Sequence, residues 1–198
     1  MRSEEWDRRY ADTEFLWTAE PNRFVVQELS NLRPGRALDL ACGEGRNAVW
    51  LARRGWQVTA VDFSTIGLDK ARQLAEQRGA TVDFVLADLL DYEPQRDDYH
   101  LVLVAYLQIS PDERAAVLLK GCSALAPGGV ILVIGHDVSN LSDGIGGPQD
   151  PTLLYTPAVI AAELPGLSIQ RAECVRRPVE VDGQTHDAID TLVRASRP

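Results

Sequence analysis

The residues of this chain best suited to chemistry are an acid and two glycines that lie close together, Asp39, Gly43 and Gly45. They belong to the stretch Ala37-Leu38-Asp39-Leu40-Ala41-Cys42-Gly43-Glu44-Gly45-Arg46-Asn47, which begins like a buried strand and ends by opening a helix. Glycines in such a turn let the backbone pass close to a ligand and adopt angles that a side chain forbids. Amides at the start of the helix then point at polar or anionic groups. The stretch predicts a binding site for a nucleotide-shaped cofactor.

Asp39 distinguishes between two kinds of cofactor. The series Gly43-x-Gly45-x-x-Ala48 satisfies the relaxed dinucleotide pattern, and Asp62 follows at the end of the next predicted strand, as an NAD site requires. A buried carboxylate at Asp39, however, is costly unless hydrogen bonds or a cation satisfy it. A pyrophosphate would repel this carboxylate, whereas S-adenosyl-L-methionine (SAM) carries a cationic ammonium and a sulfonium. The acid therefore favours SAM over NAD.

The glycine turn is the first of four motifs that follow one another in the order and spacing of a known family. The others are Asp62, the pair Asp88-Leu89 after a predicted strand, and Pro127-Gly128-Gly129 before an apolar run. Over about residues 36 to 137, the chain resembles the class I SAM-dependent methyltransferases. Its Cys-Gly-x-Gly-Arg-Asn turn resembles the tellurite-resistance and thiopurine-type small-molecule branch of that family.

This resemblance implies an α/β, Rossmann-like fold with a doubly wound, seven-stranded and mostly parallel sheet. The last strand is expected to be antiparallel and to lie beside the fifth. The resemblance also implies that Asp62 binds the ribose hydroxyls and that Asp88-Leu89 contact the adenine. The residues predicted to bind the cofactor are Asp39, Cys42, Gly43, Gly45, Arg46, Asn47, Asp62, Phe63, Asp88 and Leu89.

Strand-like and helix-like segments alternate along the chain, which by itself predicts a parallel sheet with helices on both faces. The predicted strands are 36–41, 56–61, 81–86, 99–106 and 129–136, and the predicted helices are 46–54, 65–78 and 111–126. A helix near 157–163 precedes two further strands, 168–177 and 185–195, whose connection around Asp182-Gly183 is predicted to exceed a two-residue turn. Residues 1–35 are predicted to form a helical cap on one globular domain, residues 36–198.

Ligands of open α/β sheets bind beyond the carboxyl ends of the parallel strands, and candidate catalytic residues lie there. Tyr106 and Gln108 follow the fourth predicted strand, and His136 ends the fifth. A neutral imidazole can accept a proton, so His136 is interpreted either as a general base or as a structural hydrogen-bonding group. His186 is predicted to open the seventh strand beside His136, with a structural role favoured. No metal site is predicted; one built from His136, Asp137 and His186 is the weaker alternative.

Two segments could close over this site. The first contains the aromatic residues Trp6, Tyr10 and Trp17, which either pack on the domain or roof the pocket. The second is the glycine- and proline-rich stretch 138–156 after the fifth strand. Long loops without regular structure are usually functional or disordered, so we predict that this one is a lid.

Composition limits the class of partner. The chain has 198 residues, enough for one well-buried domain, and a net charge of −9, which argues against nucleic acid as a partner. This charge and the aromatic amino-terminal segment together favour a neutral or cationic, partly apolar small acceptor. No apolar run is long enough to span a membrane and no signal peptide is recognised, which predicts a cytoplasmic protein with no membrane partner. The protein is expected to be a monomer or a homodimer. Its three cysteines lack metal-ligand spacing.

The sequence therefore predicts a SAM-dependent methyltransferase that acts on a small molecule. A thiol, an amine, a hydroxyl and a chalcogen oxyanion all remain open as the methyl acceptor. One alternative is a non-catalytic SAM-binding sensor or partner protein, because its cofactor motifs would look the same. A less favoured alternative is an NAD-dependent oxidoreductase, which is opposed by Asp39 and by the lack of an evident second substrate domain.

Overall fold

The computed structural model describes residues 3–11, 18–181 and 183–198. The strands are β1 (Arg36–Leu40), β2 (Gln57–Asp62), β3 (Asp83–Leu86), β4 (Tyr99–Ala105), β5 (Leu125–His136), β6 (Ser168–Val181) and β7 (Gln184–Ser196). The helices are α1 (Ser3–Ala11), α2 (Arg23–Leu29), α3 (Arg46–Arg53), α4 (Thr65–Gln77), α5 (Pro111–Ala124), α6 (Asn140–Asp143) and α7 (Pro157–Ala162), with a 3-10 turn at Pro151–Leu153. Among these residues, no helix is both long and apolar enough to cross a bilayer.

All seven strands join one sheet in the order β3-β2-β1-β4-β5-β7-β6. Strands β1 to β5 pair in parallel, and β7 runs antiparallel to both β5 and β6. This arrangement confirms the predicted fold class, including the antiparallel last strand beside the fifth. The chain reverses its direction of winding between β1 and β4, where an open α/β sheet leaves a crevice for ligands.

Successive side chains of each strand point to opposite faces of the sheet, so the core consists of two layers, one on each face. Leu38 and Val102 face a layer that contains α5 and α7, whereas Leu101 and Leu103 face a layer that contains α2 and α3. Because both faces of the sheet are covered, the central strands are apolar at nearly every position, as expected for parallel strands. An acid within such a strand is therefore buried by its position alone.

Helix α1 is attached to the amino-terminal end of α4. The Asp7 carboxylate accepts hydrogen bonds from the Ser64 hydroxyl and from the Ile66 amide, at 3.3 Å for the amide. The Lys70 ammonium donates to the carbonyl of Tyr10. These contacts hold Tyr10 above the glycine turn that follows β1. Trp17 lies outside the described residues.

Two sequence predictions about the strands are wrong in detail. Strand β5 begins at Leu125, not at residue 129, because the buried Leu125 pairs with Tyr99 before the chain bulges through Pro127-Gly128-Gly129 and pairing resumes at Val130. The connection between β6 and β7 was predicted to be longer than two residues. Pairing in fact continues to Val181 opposite Gln184, since cross-strand backbone hydrogen bonds do not require apolar side chains.

Candidate active site

A cavity of about 480 Å³ opens at the carboxyl ends of β1 and β4, within the size range of ligand sites. Its lining comes from the loops after the parallel strands, from α1 and from the outer part of β6. The lining residues are Trp6, Tyr10, Thr18, Pro21, Asn22, Arg23, Ala41, Cys42, Gly43, Glu44, Arg46, Asn47, Asp62, Phe63, Ala105, Tyr106, Leu107, Gln108, Ile109, His136, Ile145, Gly146, Gly147, Arg177, Pro178 and Val179.

Two residues at this crevice have strained backbone angles. Ala41 and Tyr106 follow β1 and β4 directly and adopt left-handed φ angles of 62° and 60°. Non-glycine residues in this region cost about 1–3 kcal/mol and persist where the surrounding structure requires them, often at functional sites. Both residues line the cavity, so the strain turns the chain into the site at the two central strands.

The glycine turn needs its first glycine. Gly43 has a φ of 54°, and a Cβ atom there would lie 2.7 Å from the Tyr10 hydroxyl. A side chain would therefore be strained and would collide with the residue that α1 places over the turn. Gly45 has a φ of 77° and caps α3, but it packs against Ala71 and is not among the lining residues.

Asp62 at the end of β2 forms one wall of the cavity. Its carboxylate accepts the Gly43 amide at 2.8 Å and the Ser64 amide at 2.9 Å. Burial raises the pKa of Asp62, and these amide hydrogen bonds oppose that rise. Each carboxylate oxygen has a further lone pair, so Asp62 can still accept hydrogen bonds from ligand hydroxyls. Phe63 lies beside it with an aromatic surface for a flat ring.

Asp39 is an orphaned buried carboxyl group. It is 1% exposed, and neither side-chain oxygen has a hydrogen-bond partner of ordinary geometry among the described residues. Burial, and then the nearby Asp62 carboxylate, raise the pKa of Asp39 to about 8. Asp39 does not line the cavity but lies two residues before Ala41, which does. A cation bound near the glycine turn would stabilise its ionised form.

Cys42 has no thiolate character. Burial, together with the carboxylates of Asp62 and Asp39, raises the pKa of the Cys42 thiol well above its usual range. A nucleophilic role requires the thiolate. Cys42 therefore contributes a small side chain to the cavity wall.

The opposite wall is built on Asp190, a fully buried acid in β7. Its Oδ2 accepts hydrogen bonds from the Tyr106 hydroxyl and from Arg177 Nε, both at 2.8 Å. The side-chain amide of Asn22 donates to the Tyr106 oxygen at 3.1 Å. Burial alone would raise the pKa of Asp190, but the side chains of His136 and Arg177 outweigh it and lower that pKa. Burial raises the pKa of Tyr106, and the Asp190 carboxylate raises it further, so Tyr106 is a neutral donor.

His136 faces the same acid. Asp190 lies directly opposite His136 in the β5–β7 pairing, and His136 Nδ1 is 3.3 Å from Asp190 Oδ1. The imidazole packs against the Tyr106 ring, with centroids 5.0 Å apart. Within the described part of the chain, neither ring nitrogen makes a hydrogen bond of ordinary geometry, so the contact between Nδ1 and Asp190 is electrostatic and Nε2 has no partner. His136 lines the cavity, so Nε2 is the nitrogen available to a ligand.

The segment 138–156 reaches over His136. A Cβ atom at Gly147, whose φ is 77°, would lie 2.9 Å from the imidazole ring, so only glycine fits this close approach. Asn140 anchors the segment: its amide nitrogen donates to the Gly146 carbonyl at 2.8 Å, and its Oδ1 accepts the Ile189 amide at 2.7 Å. The segment also contains α6 and the 3-10 turn, so the expectation of no regular structure is wrong.

Most of the predicted site residues meet in the cavity. Those that line it are Cys42, Gly43, Arg46, Asn47, Asp62, Phe63, Tyr106, Gln108 and His136. Four others, Asp39, Gly45, Asp88 and Leu89, do not line it. The Asp88 carboxylate accepts the Leu90 amide at 2.9 Å, and Leu89 is buried in the core. Their contact with adenine stays a prediction.

His186 is not the neighbour of His136. It pairs with Val179, is exposed and lies four residues before Asp190, about 14 Å along an extended strand. The register of β5 and β7, set where both strands are apolar, places Asp190 there instead. Asp137 is hydrogen-bonded to Thr191 and Ser139, and no metal-binding group of His, Cys, Asp or Glu occurs among the residues described.

Sequence reasoning missed Asn22, Arg177 and Asp190. One signal for Asp190 was present, because it is an acid within the apolar stretch Ala188-Ile189-Asp190-Thr191-Leu192, the same pattern that singled out Asp39. No such signal marked Arg177, because nothing in the sequence tells it apart from the adjacent Arg176.

The fold and the cavity together define a class I methyltransferase domain. Residues 37–129 match the family model described as a methyltransferase domain. The matched part of the chain is a methyltransferase domain, and the fold is that of the class I SAM-dependent methyltransferases, the family whose cofactor is SAM. The predictions of family, of enzyme class and of SAM as the cofactor are confirmed at this level.

Curated relatives and solved structures agree with this assignment. Ubiquinone biosynthesis O-methyltransferase of Idiomarina loihiensis is 34% identical over 139 residues, 66% of this chain and 55% of the relative. Ribosomal RNA small subunit methyltransferase C of Alcanivorax borkumensis is 28% identical over 107 residues, 52% of this chain and 33% of the relative. This chain thus spans about half the length of the ubiquinone enzyme and a third of the RNA enzyme.

Two solved structures share the fold. TehB from Haemophilus influenzae has a TM-score of 0.76 at 14% identity, covering 99% of this chain and 67% of TehB. The N-methyltransferase NodS from Bradyrhizobium japonicum was solved in complex with S-adenosyl-L-homocysteine (SAH). It has a TM-score of 0.75 at 17% identity, and the match covers 99% of this chain and 98% of NodS.

Proposed function

We propose that this chain binds SAM at the glycine turn and transfers its methyl group to a small-molecule acceptor. The observation that carries the proposal is the shared cavity. Gly43 and Asp62 lie on its cofactor side, and Tyr106 and His136 lie on its other side. A cofactor and a small acceptor held in one cavity are aligned for direct transfer, which supplies much of the catalysis.

The residues on the cofactor side fit SAM. Asp62 has lone pairs for the ribose hydroxyls, Phe63 has a ring for the adenine, and the orphaned Asp39 carboxyl can compensate a positive charge near the turn. A pyrophosphate would add negative charge beside two buried acids, which disfavours NAD. When bound, SAM supplies a methyl group already activated by its sulfonium.

The residues on the acceptor side orient the acceptor and receive its proton. Nε2 of His136 accepts the proton of a hydroxyl or ammonium acceptor while the new bond to the methyl carbon forms and the carbon–sulfur bond breaks. Asp190 holds Nδ1 and stabilises the imidazolium that results. Tyr106 and Gln108 position the acceptor, and Gly147 lies over His136 and keeps water from it. A thiolate or oxyanion acceptor needs no such base.

A small acceptor is supported by the cavity volume and by the net charge of −9. The curated relatives include an enzyme named for ribosomal RNA, so RNA is the rival acceptor. A strongly acidic chain disfavours a polyanion. The cytoplasmic location, the monomeric or homodimeric state and the division at residue 35 stay predictions.

The test is turnover of SAM to SAH with a panel of thiols, amines, catechols, chalcogen oxyanions and ribosomal RNA. We expect turnover with at least one small molecule and none with RNA. Tight SAH binding without turnover on any acceptor would favour a sensor protein. Tighter binding of NAD than of SAH would favour an oxidoreductase.

Asp39→Asn is expected to weaken SAH binding by about tenfold or more while the protein still folds, because one charged interaction near the cofactor is lost. Its effect on apo stability depends on pH. The pKa of Asp39 rises from 3.8 to about 8 on folding, so between these values the unfolded chain binds fewer protons than the folded one. Wild-type stability therefore falls as pH rises through this range, and the variant lacks that loss.

The measurement for Asp39→Asn is SAH calorimetry together with thermal unfolding of the apo protein at several pH values. Asp83→Asn, at an exposed acid on β3, is the matched control. If Asp39→Asn binds SAH like the wild type and its melting temperature follows pH in the same way, Asp39 has neither role.

Residues 138–156 are expected to exchange backbone hydrogens more slowly when SAH and an acceptor are both bound. The reason is that Ile145, Gly146 and Gly147 line the cavity, while few of the segment's residues are buried. Hydrogen exchange with and without ligands measures this, with β3 as the reference segment. Equal protection in both states would show a fixed loop.

A further inference from the structure

The charges that line the cavity are distributed unevenly. The two lining acids already have partners: Glu44 is 3.2 Å from the Lys70 ammonium, and Asp62 accepts two backbone amides. Both lie on the cofactor side. Three guanidinium groups also line the cavity, from Arg23, Arg46 and Arg177, and the last two lie near Tyr106.

Arg46 makes no direct ion pair with the residues described, although the carboxylates of Glu44 and Asp39 lie close enough to favour its charge. In the described part of the chain, its guanidinium makes neither an ion pair nor a hydrogen bond, although it is only partly exposed. Burial lowers the pKa of Arg46 and the nearby Arg177 also lowers it, whereas Tyr106 and the two acids oppose this fall without cancelling it. Arg46 is thus held near a second cation in a setting that disfavours positive charge, which is costly unless an anion joins them.

Arg177 is oriented so that the end of its guanidinium remains available. Its Nε donates to Asp190, and its guanidinium carbon lies 5.7 Å from the centroid of the Tyr106 ring. Neither terminal nitrogen of Arg177 makes a hydrogen bond of ordinary geometry within the structure described, although the guanidinium also interacts with Tyr106, and neither nitrogen is fully buried. The Nε side of the guanidinium is therefore held by Asp190 on β7, and its terminal nitrogens remain available to the cavity that Arg177 lines.

We propose that Arg46 and Arg177 form a carboxylate-binding subsite for the methyl acceptor, so that the acceptor is a small organic acid. Guanidinium forks match a carboxylate in shape and charge. The proposal rests on the proposed function and specifies its substrate class. An acid held there places its nucleophilic atom toward His136, which shares Asp190 with Arg177. This assignment is opposite to the neutral or cationic acceptor expected from the net charge, because the local charges, not their sum, act on the ligand.

The experiment compares benzoate with benzamide, which differ in charge but hardly in shape, by ligand-observed NMR titration of the SAH complex. The wild type is expected to prefer benzoate by about tenfold or more, the value of one charged hydrogen-bonded contact. Arg46→Gln and Arg177→Gln should each remove most of this preference. Arg177→Lys, which keeps the charge but not the fork, should retain part of it.

Arg176→Gln is the matched control. Arg176 is adjacent to Arg177 on β6 but faces outward, is 64% exposed and pairs with Asp187. The Arg176→Gln variant should therefore keep the same preference for benzoate over benzamide as the wild type. The proposal is overturned if the wild type shows no preference or no benzoate binding, or if the Arg46 and Arg177 variants keep the preference.

A second measurement separates the carboxylate of the acceptor from that of the cofactor. Each variant is titrated with SAH and with 5′-methylthioadenosine, which lacks the amino acid part. We expect the ratio of the two affinities to be unchanged. If the variants weaken the binding of SAH but not of 5′-methylthioadenosine, the guanidinium groups bind the carboxylate of the cofactor. The proposed acceptor subsite is then wrong, while the proposed function still holds. If the wild type binds neither nucleoside, both proposals are wrong.

Discussion

Replacement of His136 by alanine is expected to lower kcat by about 10²–10⁴ for an acceptor that must lose a proton, with SAH affinity unchanged. The reason is geometric. Nδ1 of His136 faces the buried Asp190 at 3.3 Å, which leaves Nε2 as the nitrogen that can accept the proton. Steady-state kinetics with a hydroxyl acceptor and SAH calorimetry measure the two quantities.

His186→Ala is the matched control for His136→Ala, because His186 is exposed on β7 and does not line the cavity. It should leave kcat unchanged. Asp190→Asn is the second variant: it keeps the shape beside His136 but removes the charge that stabilises an imidazolium, and kcat should fall again.

The kinetic parameters distinguish the two roles of His136. A smaller loss that appears mainly in the acceptor KM would show that His136 positions the acceptor. Full activity of His136→Ala at every pH tested would remove this residue from the mechanism.

Asp62→Ala is expected to weaken SAH binding by about a hundredfold or more. Each hydrogen bond to a charged acceptor contributes about 1.5–3 kcal/mol, and the two ribose hydroxyls are expected to donate two of them. The substitution also leaves the Gly43 and Ser64 amides without their acceptor, so the glycine turn loosens. Calorimetry with SAH gives the affinity.

The control for Asp62→Ala is Asp69→Ala, at an exposed acid on α4. Asp62→Asn tests the charge separately from the shape. A melting temperature for each variant shows whether the fold survives. If Asp62→Ala binds SAH within about threefold of the wild type, Asp62 does not hold the ribose. A threefold change is smaller than the contribution of one such hydrogen bond.

The sequence predicted that the glycine turn and Asp62 lie at one edge of the sheet, because that information is local. The strand, the glycine turn and the start of α3 follow one another along the chain, and their torsion angles and burial are set by neighbouring residues. Gly43 is needed where the backbone is left-handed, and Asp62 ends the next strand at the same edge. The alternation of strands and helices likewise predicted a parallel sheet with helices on both faces.

Some errors at the boundaries came from pairing between distant strands. Leu125 becomes part of β5 because Tyr99 lies beside it, and β6 and β7 extend almost to Gly183 because each supplies the other's backbone hydrogen bonds. Local patterns mark where apolar residues begin and end. They do not mark how far a hairpin continues past them.

The acceptor side was decided only by the tertiary structure. The sequence by itself predicted a class I fold, a glycine turn suited to SAM and a histidine at the end of β5. It paired that histidine with His186, because the register of β5 against β7 is not written in either strand alone. Packing of the two apolar strands sets that register, places Asp190 opposite His136, and brings Arg177 and Asn22 to the same cluster from distant parts of the chain. Long-range contacts of this kind depend on the whole sheet, whereas the glycine turn depends on a few adjacent residues.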